Sequence, residues 1–83
     1  MIDAKQAAEK AAEYLRSLVP VSSIPVIEEI ERSDDGQFWL VTLSYQPPMQ
    51  TGLYLAPHMK EYKLFKVDAN AGDVRSMKIR AVK

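Results

Sequence analysis

The chain has 83 residues, 11 of them basic and 11 acidic, and no cysteine. Without cysteine there is no disulfide, no thiolate nucleophile and no thiolate metal site, and zero net charge argues against nucleic acid as a partner. A chain this short makes one domain, residues 1–83, that buries only about 60–65% of the surface its unfolded form exposes, so its core is thin. No apolar run approaches the ~20 residues of a membrane span, so no membrane insertion is expected. The N-terminus has no basic segment followed by an apolar one. As written the chain is expected in the cytoplasm, and outside it if a signal peptide has been removed. Charge is uneven along the chain, with four basic against eight acidic residues in 1–46 and seven against three in 60–83. In the fold this lets an acidic strand lie near basic ones.

From Asp3 to Leu18 alanine, leucine, lysine and glutamate dominate. Ala4, Ala8, Ala11, Leu15 and Leu18 fall at spacings of three and four, which is one stripe of a helix. Asp3 is the expected N-cap, Gln6 completes a capping box, and Pro20 stops the helix. The stripe is mostly alanine, so the helix is expected to pack close on a sheet.

After a short connector, Ile24, Val26 and Ile30 are expected on one face of a first strand, with Ile27, Glu29 and Glu31 on the other. Its acid content suits a sheet edge. Glu28 and Glu29 are adjacent, and neighbouring strand residues point to opposite faces, so they are not expected to act as an acid–base pair. Ser33, Asp34, Asp35 and Gly36 predict a hairpin turn, and two aspartates are too few for a calcium loop. Phe38 to Tyr45 follows, with Trp39, Val41, Leu43 and Tyr45 on one face and Phe38, Leu40, Thr42 and Ser44 on the other. Both faces are largely apolar, which predicts a central strand.

Gln46 to Met59 breaks the rhythm with Pro47, Pro48, Gly52 and Pro57. Met49, Leu53, Tyr54 and Leu55 are apolar nonetheless, and this stretch is expected either to fold back on the core or to offer a contact surface to a partner. His58 is the lone histidine, with no cysteine or second histidine to join it as a metal ligand. Tyr62 to Val82 reads as a second hairpin around Asp68, Asn70, Gly72 and Asp73. Phe65, Val67, Met77, Ile79 and Ala81 are expected inward, and Lys66, Ser76, Lys78 and Arg80 outward.

The elements sum to an α+β domain, one N-terminal helix packed on a four-stranded antiparallel meander. The face away from the helix is expected to carry Ile27, Leu40, Tyr62 and Leu64 among its charges. That is more apolar surface than a solvated face needs, and it suggests a homodimer.

The alanine-rich helix, the tryptophan-bearing strand and the segment YKLFKVDANAGDV, with Val67, Asp68, Gly72 and Val74, resemble the PepSY and PepSY-like domains. That resemblance implies a cystatin-like helix-on-sheet layout, supplies no catalytic residue, and makes a peptidase a partner class. PepSY domains often serve as propeptide modules inside larger exported proteins, whereas no protease domain is present in this sequence. The helix followed by a tryptophan-containing strand is also similar to small bacterial immunity proteins.

Function divides three ways. Catalysis would need a nucleophile with a base, a carboxylate pair or a metal cluster, and none is legible, so no enzyme, metal or cofactor is expected. Protein binding needs an exposed apolar anchor with a polar rim, which the 46–59 loop or the outer sheet face supplies, with a protein partner or the chain itself docking there. A small apolar ligand between helix and sheet is the alternative, since alanine leaves space under the helix. Tyr54→Ala or Leu55→Ala is expected to remove partner binding while leaving the thermal unfolding midpoint in place. A fall in that midpoint would assign both residues to the core instead.

Overall fold

A computed structural model describes residues 1–18, 24–45 and 61–80. Its elements are helix α1 (Ala4–Leu18) and strands β1 (Val26–Arg32), β2 (Phe38–Tyr45), β3 (Glu61–Asp68) and β4 (Val74–Ile79). The strands form one sheet in the order β1-β2-β3-β4, every neighbouring pair antiparallel. The expected α+β architecture, a helix on a four-stranded meander, is what the chain adopts.

The helix begins as its capping box specifies. Gln6 donates its amide N–H to Asp3 Oδ1 at 2.8 Å, and Asp3 donates its own to Gln6 Oε1 at 3.0 Å, which satisfies two amides that a helix start leaves without partners. Ala7, Ala8, Ala11 and Leu15 are its buried residues. The apolar stripe is therefore rotated from the expected one: Ala7 joins it, and Leu18 lies 55% exposed beyond the region the sheet covers. With so little side chain between helix and sheet, bulk comes from Leu15, Phe65, Val41, Leu43 and Val67, all without solvent exposure. Tyr14 meets Phe65 edge-to-face at 6.3 Å between ring centroids.

Three segments meet at the turn end of the sheet. Ile2 donates its N–H to the Ala69 carbonyl, and Ala69 donates to the Gln37 carbonyl, so one buried residue ties the N-terminus to both hairpin turns. The Trp39 indole donates to the Ile2 carbonyl at 3.1 Å, while the Arg32 guanidinium lies 4.9 Å from the indole ring centroid.

The first hairpin is wider than the Asp-Gly pair suggests. Ser33 donates its N–H to Phe38 and leaves four residues in the loop, with Asp35 Oδ1 accepting from Ser33 Oγ and the Gln37 amide. The second turn is built on Asp68, whose Oδ1 accepts from the amides of Asn70 and Ala71 at 2.8 Å each. Those bonds, with Arg75 beside it, hold the Asp68 carboxyl below its ordinary range. Gly72 closes the turn at φ +83°, a left-handed conformation that disfavours any side chain.

Strand β1 departs from the expected alternation. A β-bulge lies between Ile27 and Glu29, so that Ile27 pairs with Leu43 while Glu29 pairs with Thr42. Ile27 thereby leaves the row of Leu40, Tyr62 and Leu64 and stands opposite a residue that faces the helix. Val26, expected inward, pairs with Ser44 on the outer face. On β4, Met77 packs against the core as expected, but Ile79 is 82% exposed. Ala81 lies outside the described residues.

Because space at Gly72 is adequate, with the nearest atom to an added Cβ at 3.5 Å, the cost of Gly72→Ala is one of backbone conformation alone. Chemical denaturation of that variant is expected to register a loss of about 1–2 kcal/mol.

Candidate binding face

The outer face of the sheet has three lanes. Along its middle, Phe38 and Leu40 of β2 and Leu64 and Tyr62 of β3 form a diagonal apolar band, since Leu40 pairs with Lys66, Thr42 with Leu64 and Ser44 with Tyr62. All four are half-buried. Glu28, Glu29 and Glu31 of β1 line one side, and Ser76, Lys78 and Arg80, from β4 and the residue just after it, line the other. The Lys66 ammonium sits 4.3 Å from the Phe38 ring centroid at one end of the band.

Arg80 spans the other end. From beyond β4 its Nη1 reaches across β3 to donate to Thr42 Oγ1 at 2.6 Å and to Glu29 Oε1 at 2.7 Å. Beside it Ser44 Oγ donates to Glu28 Oε2 at 2.6 Å. Thr42 and Ser44 are buried beneath these longer side chains, and each hydroxyl has its partner, as buried polar atoms require.

This corrects the expectation that Glu28 and Glu29 point to opposite faces. The bulge between Ile27 and Glu29 breaks the two-residue period, and both carboxylates reach the outer face, Glu28 at the Ser44 hydroxyl and Glu29 at the guanidinium that also holds Thr42. They do not form an open acid–base pair there, because Ser44 occupies one and Arg80 the other. The signal was the three-residue spacing of Ile27 and Ile30, which a regular strand places on opposite faces and the bulge brings to one.

Leu40, Tyr62 and Leu64 are thus brought together, and Ile27 is not among them. Met49, Leu53, Tyr54, Leu55 and His58 lie outside the described residues. Among the described residues no group of three or more His, Cys, Asp or Glu side chains is placed to hold a metal ion. No helix described is long and apolar enough to cross a membrane. On the helix side, a cleft of about 360 Å³ opens between Lys10, Tyr14 and Ser17 and the Gly72–Val74 segment. Its walls mix both charges. Compared with protein-family models, curated proteins and solved structures, the chain matches none.

Tyr45 ends the helix-facing row of β2, buried, with its hydroxyl donating to Glu61 Oε1 at 2.9 Å. Burial first, then the Glu61 carboxylate, pushes the phenol up from 10.0 to about 12. Between these values the folded chain keeps a proton that the unfolded chain loses. The stabilisation is therefore complete below pH 10 and disappears as pH rises through about 12. Ultraviolet titration should find one tyrosine ionising near pH 12, and Tyr45→Phe should remove that step.

Proposed function

We propose that this chain is a non-catalytic protein-binding domain that docks a partner on the outer face of its sheet. The observation carrying this reading is the apolar band of Phe38, Leu40, Leu64 and Tyr62 between an acidic and a basic lane. An apolar centre with a charged rim is the anatomy of a protein interface, where the centre supplies affinity and the rim selects orientation. Opposite charges on the two sides give a docking segment a preferred direction across the strands.

A PepSY-like identity is the finer form of this reading, with a peptidase as the partner class. What supports it is the second hairpin: Val67 pairs with Val74, Asp68 organises the turn, and Gly72 takes the left-handed conformation.

The test is site-specific crosslinking. A photoreactive residue at Leu40 or Leu64 should give a discrete adduct with a partner protein, and one at Glu9, on the exposed side of the helix, should give none. Adducts from Glu9 alone would assign docking to the helix and overturn the reading.

A further inference from the structure

Among the described residues, the large exposed aliphatic residues in or beside the sheet belong to its two edge strands. Ile24, Val26 and Ile27 lie on or beside β1, and Ile79 ends β4, with Ile24 and Ile79 more than four-fifths exposed. The edges are opposite in charge: β1 carries Glu28, Glu29 and Glu31, and β4 carries Arg75 and Lys78, followed by Arg80. We infer that β1 of one molecule pairs antiparallel with β4 of a second copy, continuing the sheet head to tail with Ile30 opposite Ile79 and Glu31 opposite Lys78.

The backbone is compatible with this register. Ser33 bonds to Phe38, so alternation turns Glu31 and Glu29 toward β2 and leaves the amide and carbonyl groups of Arg32 and Ile30 pointing outward. Arg80 bonds to Tyr62 in the same way, which leaves those of Ile79 and Met77 pointing outward. Placing Ile30 opposite Ile79 sets Arg32 opposite Met77, and the outward groups of both edges then meet. The same register puts side chains of like orientation together. Ile30 and Ile79 belong to the helix-side rows, whereas Glu31 and Lys78 belong to the outer rows.

Other edge pairings are worse. Two β1 edges would set Glu29 and Glu31 against their copies, and two β4 edges would oppose Lys78 and Arg80, like charges that destabilise a ladder. A slip of one residue would place Ile79 against a glutamate. The helices do not obstruct the contact, since four strands at about 4.8 Å separate neighbouring copies by about 19 Å, against a helix diameter of about 10–12 Å. The contact joins two different surfaces of the chain, so it does not close on itself in a dimer.

Light scattering over a concentration series tests this together with two surface variants, Glu31→Lys and Lys78→Glu, whose folding is checked by circular dichroism. The wild-type mass should climb with concentration beyond twice 9.4 kDa, and Ile79→Lys should abolish the climb. Each charge variant alone sets like charges together and should need roughly threefold to tenfold more protein for the same mass. Mixed in equal amounts, the two should recover wild-type behaviour, because the lysine introduced on β1 of one variant meets the glutamate introduced on β4 of the other. A mass constant at 9.4 kDa, a mass that stops at the dimer, or a mixture no better than its components would overturn the inference. Phe38→Ser, which alters the proposed outer-face site at a residue paired with Asp68 of central strand β3, should leave self-association unchanged, so this inference and that reading fail separately.

Discussion

The absence of bulk on the helix is the constraint from which the rest of the structure follows. Ala7, Ala8 and Ala11 are buried to within 3% of complete exclusion from solvent, and their methyl groups bring the helix backbone close to the sheet. A helix so close must be met by large sheet residues, and Phe65, Leu43, Val41 and Val67 fill that role on the two central strands. It must also be anchored, because alanine contributes little hydrophobic free energy per residue. The anchors are polar. The capping box starts the helix, and the bonds from Ile2 to Ala69 and from Trp39 to Ile2 hold its first residues against the hairpin turns.

A one-helix layer also leaves the second face of the sheet with no described element over it. Among the described residues, long charged side chains lie over the small hydroxyls of that face. Arg80 is central to it, linking β1 and β2 to the residue beyond β4. A partly exposed ion pair of this kind contributes about 0–1 kcal/mol in isolation, so its effect lies more in fixing the arrangement of the face than in stability. Phe38, Leu40, Leu64 and Tyr62 remain as the apolar centre of that face, with Val26 at its β1 margin.

Much of the fold was legible because local signals agreed. The capping box, the alternation in Trp39 to Tyr45 and the Asp68 to Gly72 turn each specified their own element, and their order left a meander as the simplest path. What was not legible depended on geometry between elements. The bulge in β1 displaced Ile27 and united Glu28 with Glu29, although each residue taken singly fits a regular strand. The rotation that buries Ala7 and exposes Leu18 reflects where the sheet lies under the helix, which spacing alone does not specify. At the outer face the apolar residues of β2 and β3 could be read from period, but the reach of Arg80 over two strands could not, since a long side chain is not bound to its own row.

The chain's single tryptophan sits at the junction of all this. Its indole N–H is bonded to the residue just before the helix cap, its ring faces the Arg32 guanidinium, and it packs at the margin of the core. Lifting the helix from the sheet breaks that bond and hydrates the ring before any strand need separate. Emission from Trp39 is consequently a local optical gauge of helix docking, able to distinguish a detached helix over an intact sheet from loss of the whole fold.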